Sequence, residues 1–272
     1  IAVGTEALYY NIIGIKNTAA GHGSLYTNTN DQNTAIGYRT LYLNTAGYGN
    51  TAIGNESLYT NTEGSENTAI GYQSLWKNTA AGGLVAIGAY SLNQNTTGGS
   101  NTAVGYQALM NNTTGIENSA FGLNSLSSNI TGGNNTAIGF GALQLNTTGA
   151  SNTAVGFNSL NENTTGHDNV TIGKALNHIL TTHFNVGIGN SAGEFITDGV
   201  TSLTATTSSV FIGYNSKALA NGSTNEIVIG SNNTGFGTNT AVFGDSSITK
   251  TILRGNVGIG ITSPAQKLDV SG

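Results

Sequence analysis

The chain has 272 residues, of which only 8% are charged and 40 are glycine, and its net charge at pH 7 is −5. Eight Lys and Arg residues supply no basic patch for phosphates, and no apolar run is long enough for a spanning helix, so we expect no nucleic-acid partner and no membrane insertion. The lack of Cys excludes disulfides, zinc–thiolate sites and Cys nucleophiles.

The chain repeats itself from its first residues. A Gly that closes an Ala-Ile-Gly or similar step recurs every 17 residues, once after 16, from Gly4 to Gly173. A Leu follows this Gly after four residues, and an Asn follows the Leu after three. The consensus is N-T-A-[I/V]-G-x-x-[S/A]-L-x-x-N-T-[T/A]-G-x-x.

The repeat is too short for a helical hairpin, and Gly and Asn-Thr pairs interrupt it too often for one helix. It fits two strands of about four to six residues joined by two turns. One such unit cannot bury its apolar face alone, whereas stacked units can. The sequence therefore predicts an all-β fold, a parallel β-solenoid (β-roll) of about 16 coils with a 17-residue repeat.

Three columns of the repeat have a structural interpretation. The Gly accepts positive φ and marks a coil corner, and the Leu lies on the Leu of the next coil in the core. Identical Asn amides, one strand spacing of about 4.7–4.9 Å apart, can hydrogen-bond up the stack as a ladder. In the most regular coils the corner glycines are Gly71, Gly88, Gly105, Gly122 and Gly139, the core leucines are Leu75, Leu92, Leu109, Leu126 and Leu143, and the ladder asparagines are Asn78, Asn95, Asn112, Asn129 and Asn146.

A single chain this thin has little core. One buried Leu contributes only about 1.5–3 kcal/mol per coil, and the many Ile, Val, Tyr and Phe side chains need further cover. Parallel copies packed side by side would bury them. We therefore expect the chain to be its own partner, as an elongated homotrimer.

The position after the Leu is aromatic in the first coils, at Tyr9, Tyr26, Tyr42, Tyr59 and Trp76. We favour aromatic stacking along the solenoid for this column, and contact with a host-surface glycan or receptor is the alternative. A Thr column permits an ice-binding interpretation, although the strand propensity of Thr explains it equally well. Its members are Thr34, Thr51, Thr68, Thr102, Thr136 and Thr153.

The regular array ends at Gly173, which divides the chain into three parts. Residues 1–173 form the regular solenoid, and residues 174–254 an irregular one in which 193–209 reads as an inserted loop or hairpin. Residues 255–272 contain the only Pro and read as a terminating segment that leads to a further C-terminal module.

The sequence has few residues that could bind a metal ion or catalyse a reaction. His178 and His183 lie five residues apart, and Glu194 and Asp198 follow them. We favour packed or solvated imidazoles over a metal site, which would need a third ligand at matching spacing. No Ser-His-Asp or paired-carboxylate arrangement recurs, and the G-x-G steps precede no helix. We expect no enzyme activity, no metal and no cofactor.

Two resemblances carry functional implications. The coil N-T-A-[I/V]-G-x-x-[S/A]-L, over roughly residues 1–190, resembles the head repeats of trimeric autotransporter adhesins, which are usually shorter. Those heads are left-handed parallel β-rolls assembled as trimers. The ending N-V-G-I-G-I-T-S-P-A-Q-K-L-D-V-S-G resembles a segment of phage tail-fibre proteins. There it commonly precedes an endosialidase-type intramolecular chaperone that trimerises the fibre and then cleaves itself off.

Together these observations predict a structural protein. The resemblances imply a tail-fibre shaft of a phage or virus that presents a host-attachment module, located in the virion. The alternative is the head of a bacterial trimeric adhesin at the cell surface, and an ice-binding solenoid is the third interpretation.

Overall fold

The structure, a computed structural model, describes residues 1–270. The predicted terminating segment 255–272 therefore extends two residues outside the described range. Within that range the chain forms seventeen strands and no helix. The strands are β1 Ala2–Val3, β2 Thr18–Ala20, β3 Thr34–Ile36, β4 Thr51–Ile53, β5 Thr68–Ile70, β6 Val85–Ile87, β7 Thr102–Val104, β8 Ser119–Phe121, β9 Thr136–Ile138, β10 Thr153–Val155, β11 Val170–Ile172, β12 Val186–Ile188, β13 Val210–Ile212, β14 Ile227–Ile229, β15 Ala241–Phe243, β16 Val257–Ile259 and β17 Leu268–Val270.

Strands β1 to β15 form one parallel sheet in sequence order, and each strand pairs with its counterpart in the next coil. In the middle of the array Ala103 pairs with Ala120, and Ala120 with Ala137. The predicted parallel β-solenoid with a 17-residue repeat is thus confirmed. The number of coils is smaller than predicted, about 14 turns, because β16 and β17 form a separate two-stranded sheet.

Each coil has one strand, and the expectation of two strands of four to six residues per coil was wrong. The strand is three residues long in every complete regular coil, and in Thr-Ala-Val of β7 the Ala is buried while its neighbours are partly exposed. The second half of the coil contains residues at positive φ, such as Gln107 at 57° and Leu109 at 51°. Backbone at these angles cannot continue an extended strand.

This second half is nevertheless hydrogen-bonded from coil to coil. The amide of Leu109 donates to the carbonyl of Ser125 at 3.0 Å, and the amide of Asn111 donates to that of Ser127 at 3.1 Å. Buried backbone groups need such partners, and both halves of the coil find them in the adjacent coils. The stack is therefore tied together on both sides of its core.

The core is a narrow column of small and medium side chains. It consists mainly of one strand Ala and one Leu per coil, with Phe211 as its largest fully buried side chain. Segment 193–209, predicted as an inserted loop or hairpin, contains an antiparallel bridge between Phe195 and Ser202. Its turn is closed by the amide of Gly199, which donates to the carbonyl of Ile196 at 2.9 Å. The coil between β12 and β13 is enlarged by this hairpin.

Candidate functional site

The Asn column after the Leu forms a continuous buried ladder. Each Nδ2 donates to the Oδ1 of the preceding coil: Asn95 to Asn78 at 3.1 Å, and Asn112 to Asn95, Asn129 to Asn112 and Asn146 to Asn129 at 2.8 Å each. The same Nδ2 of Asn112 also reaches the carbonyl of Gly115 at 3.0 Å. These side chains are fully buried. The N-x-T sequons at Asn95, Asn112, Asn129 and Asn146 therefore offer no accessible amide for glycosylation in the folded chain.

A second Asn ladder, not recognised in the sequence, runs beside the first. It uses the Asn that precedes the Thr-Ala pair of each strand, and its members in the middle of the rod are Asn101, Asn118, Asn135, Asn152 and Asn169. Their Nδ2–Oδ1 distances are 3.0–3.1 Å, and the amide of Asn118 also donates to the Oδ1 of Asn101 at 2.9 Å. The signal was present, since this Asn recurs as regularly as the other. Only Leu84 interrupts the column between Asn17 and Asn185.

The corner glycines meet two requirements. The values of φ at Gly71, Gly88, Gly105, Gly122 and Gly139 are 133°, 130°, 139°, 134° and 131°. This region of conformational space is almost restricted to Gly. A Cβ at Gly105 would also lie 2.5 Å from the carbonyl oxygen of Gly122 in the next coil. The backbones of neighbouring coils therefore approach one another too closely for any side chain.

The Leu column fills the core from an unusual backbone conformation. Leu75, Leu92, Leu109, Leu126 and Leu143 are fully buried, with φ between 48° and 52°. A left-handed conformation costs a residue with a Cβ about 1–2 kcal/mol, whereas full burial of a Leu contributes about 1.5–3 kcal/mol. Burial thus offsets the backbone cost at each coil.

The aromatic column lies on the outside as one stack of rings. Centroid separations are 5.4 Å for Tyr9–Tyr26, 4.8 Å for Tyr26–Tyr42, 5.3 Å for Tyr42–Tyr59 and 6.3 Å for Tyr59–Trp76. The rings are within 24° of parallel. Each inner ring therefore has both faces covered by its neighbours and presents only its edge to solvent. A sugar that stacks on an aromatic face would find such faces only at the two ends of this ladder.

The hydroxyl edge of the ladder contains one perturbed group. A side-chain hydrogen bond with Tyr10 raises the pKa of Tyr26 to about 12. Arg39 adds a cation beside the ring of Tyr42, 5.5 Å from its centroid. A second cation, the ammonium of Lys77, lies 6.0 Å from the centroid of the Trp76 ring.

A second exposed feature is an apolar stripe, which we define as the residues directly before and after each corner Gly. Its large exposed side chains are Ile36, Tyr38, Ile53, Tyr72, Ile87, Tyr106, Phe121, Leu123, Ile138, Phe140, Phe157 and Ile172. The rings of Phe140 and Phe157 stack at 5.3 Å. Between Lys77 and Glu162 the chain has one charged residue, Glu117, and it lies outside the stripe. The stripe is mostly apolar along the rod axis, and its polar members are Thr5, His22, Asn55 and Lys174.

The candidate metal residues are not brought together. His178 lies 3.1 Å from a carboxylate oxygen of Glu162 and 3.7 Å from one of Glu194. His183 instead stacks on His167. Within residues 1–270 no group of three or more His, Asp or Glu side chains has a geometry that could hold a metal ion.

The two acidic residues after the His pair have separate structural roles. Glu194 is almost fully buried and pairs with the Lys174 ammonium at 2.6 Å. Asp198 lies in the inserted hairpin, where it accepts hydrogen bonds from the hydroxyl and amide of Thr201 and the amide of Val200. These bonds hold the pKa of the Asp198 carboxyl below its usual range.

Comparison of the chain with protein-family models, curated proteins and solved structures found no match. No helix long and apolar enough to cross a membrane occurs in the part of the chain that the structure describes. The chain's own surfaces are therefore the basis for assigning its function.

Proposed function

We propose that this chain is the shaft of a phage or virus tail fibre, assembled as a homotrimer with its solenoids parallel and in register. The observation that carries the proposal is the apolar stripe. It runs along the rod, has no Asp, Glu, Lys or Arg from Val3 to Phe157, and leaves large side chains such as Phe140 exposed in a single chain. Exposed apolar surface of this extent is typical of protein interfaces.

Identical copies fit this stripe better than an unrelated partner. Each coil repeats the same pattern at the same spacing, so parallel copies present matching side chains at every level. Like charges do not oppose each other across such a contact between Val3 and Phe157, because the stripe carries no Asp, Glu, Lys or Arg there. Two buried Asn ladders and the Leu column make each chain a stiff spacer, which suits a shaft that holds an attachment module away from the particle.

Single Cys substitutions test this arrangement, because the natural chain has no Cys. Ala89 follows the corner Gly88 in the stripe, and Ala80 is exposed in the turn after a ladder Asn. In a parallel, in-register assembly, Ala89→Cys should form interchain disulfides under mild oxidation, whereas Ala80→Cys should form few. Equal cross-linking at both positions, or none at position 89, would contradict the proposed interface.

The location of the protein, on virions or on bacterial surfaces, distinguishes a tail-fibre shaft from the head of a bacterial adhesin. The head of a bacterial trimeric adhesin would use the same coils and the same stripe. Antibodies against the chain should label the tails of virions in electron micrographs if it is a fibre shaft. Labelling confined to bacterial surfaces would favour the adhesin head instead.

An ice-binding solenoid is favoured by one feature, the outward face of the sheet. Thr51 and Ile53 point to the same side of β4, and Thr34 and Thr68 lie beside Thr51 in register. The Thr side chains form a row along the sheet, in which Val85 and Ser119 replace Thr in two coils. Thermal hysteresis in a freezing assay would support ice binding, and its absence would leave the Thr row with a purely structural role.

A further inference from the structure

The coil that follows the regular array differs from the coils before it in the Asn hydrogen bonds that connect it to them. The first Asn ladder ends at Asn163, whose buried Oδ1 has no hydrogen-bond partner within residues 1–270, because Ile179 occupies the next position of the column. Only the second ladder continues, through hydrogen bonds from Asn169 to Asn152 and from Asn185 to Asn169, both at 3.0 Å. Residues 169–185, here called the junction coil, therefore keep one of the two Asn ladders that support the regular coils before them.

Titratable side chains concentrate in and beside the junction coil. Three of the four His residues of the chain, His167, His178 and His183, lie in or directly beside the junction coil. The rings of His167 and His183 stack with centroids 3.7 Å apart and planes at 14°. In a chain with so few charges, this is the place where protonation between pH 5 and 7 changes the most contacts.

The hydrogen bonds determine whether Nδ1 is a donor or an acceptor in each ring of the stacked pair. The backbone amide of His167 donates to Nδ1 of His183 at 3.1 Å, so this nitrogen must carry a lone pair and no proton. Nδ1 of His167 lies 2.7 Å from a carboxylate oxygen of Asp168, so this nitrogen is the donor of the hydrogen bond. The stacked pair thus combines one imidazole whose Nδ1 donates with one whose Nδ1 must accept.

Protonation of His183 removes a contact between coils and adds a repulsion. The imidazolium can no longer accept the His167 amide, and its charge faces a second imidazole at stacking distance. The ionisable groups that act on His183 are His167 and Asp168, both from the preceding coil, and from the following coil the amide of Ser208 donates to the carbonyl of His183 at 3.1 Å. Burial and the charge of His167 lower the pKa of His183, which outweighs the opposite effect of Asp168.

We propose that the junction coil is an acid-sensitive joint, which opens locally when His183 is protonated while the regular coils before it stay closed. The direction of the pH effect follows from the linkage between proton binding and the stability of the closed state. Because the closed state binds this proton less well than the open state, closed-state stability is complete above the usual His pKa and falls as the pH drops through it. Such a joint is a property of the fold itself and does not depend on the tail-fibre assignment.

A second His in the same coil also lies beside carboxylates. His178 is 3.1 Å from an oxygen of Glu162 and 3.7 Å from one of Glu194, and the Lys174 ammonium pairs with the same Glu194 at 2.6 Å. His178→Gln therefore separates the two positions, because the acid response should be lost in His183→Gln and kept in His178→Gln.

Hydrogen exchange followed by mass spectrometry, at pH 7.5 and 5.5 on the assembled chain and corrected for intrinsic exchange rates, tests the proposal. Peptides covering 167–184 should show more opening at pH 5.5, by up to about tenfold because this pH lies about one unit below the usual His pKa, and peptides within 101–150 should not change. His183→Gln, which keeps an acceptor and cannot be protonated, should abolish the difference. His22→Gln in the second coil is the matched control and should preserve it.

Three results would overturn the proposal. These are an unchanged acid response in His183→Gln, loss of the response in His178→Gln, and opening spread evenly over all coils. If His183→Gln is already open at pH 7.5, His167→Gln decides the question. Removal of the facing imidazole should then reduce the acid response, and an undiminished response would exclude the stacked pair as its source.

Discussion

At the scale of single residues, the repeat is defined by backbone angles as much as by side chains. Each regular coil contains a corner Gly near φ 130° and a buried Leu near φ 50°. The corner could be predicted from sequence, because Gly105 and its equivalents recur without exception. The conformation of Leu109 could not, because Leu rarely adopts positive φ and only the core of the stacked coils stabilises it there.

Gly105→Ala tests the corner. An Ala at this position would place its Cβ 2.5 Å from the carbonyl oxygen of Gly122. It would also have to adopt φ 139°, an angle that residues with a Cβ avoid. We expect a loss of about 2–4 kcal/mol in the free energy of unfolding, or local opening if unfolding is not cooperative. Denaturant unfolding followed by circular dichroism, together with hydrogen exchange, gives the measurement.

Gln107→Gly is the matched control for that substitution. Position 107 has φ 57°, and Gly23 and Gly141 occupy the same column in other coils. Its replacement by Gly should change stability by less than about 1 kcal/mol, because Gly adopts this angle without strain. Equal losses at positions 105 and 107 would show that the corner has no special requirement.

At the scale of elements, two Asn ladders tie each coil to the next. The ladder through Asn112 was predictable because identical amides, stacked one strand spacing apart, can each donate to one neighbour and accept from the other. The His167–His183 stack was missed, although the two residues are 16 positions apart, which is the length of the coil at that point. A coil-by-coil alignment of the irregular region would have placed them together.

Asn112→Ala should be strongly destabilising. The substitution removes donation to Asn95 and Gly115 and the acceptor used by Asn129, and it leaves buried groups without partners. Each such group costs about 1–3 kcal/mol, so a loss of several kcal/mol is expected in the unfolding free energy. Asn111→Ala is the control, because the structure gives that partly exposed side chain no hydrogen bond among the described residues. Similar losses at both positions would argue against the ladder as a stabilising element.

The aromatic ladder gives a prediction that separates structure from recognition. Trp76→Ala removes the terminal ring, 6.3 Å from that of Tyr59, and should lower stability by about 1–3 kcal/mol. Adsorption of the assembled protein to host cells should fall less than stability does. Loss of adsorption at an unchanged melting temperature would assign the ladder to glycan contact instead.

At the scale of the whole molecule, the narrow core and the exposed stripe are related, because a core this small leaves large apolar side chains outside. A coil that buries one Ala and one Leu leaves Ile138, Phe140 and their equivalents at the surface, and the proposed association of copies would cover them. Self-similarity has a cost, however, since sliding one chain by 17 residues restores nearly the same contacts. We expect the unequal coils after Gly173 and the hairpin in 193–209 to set the register between chains.

Our central claim is that the chain functions as an assembly of copies and not as a single solenoid. Light scattering coupled to size-exclusion chromatography, at micromolar concentration, tests it directly. We predict species of three chain masses and larger multiples, with no stable species at the single-chain mass of 27.7 kDa. A monodisperse monomer, folded by circular dichroism, would contradict both the trimer and the fibre shaft.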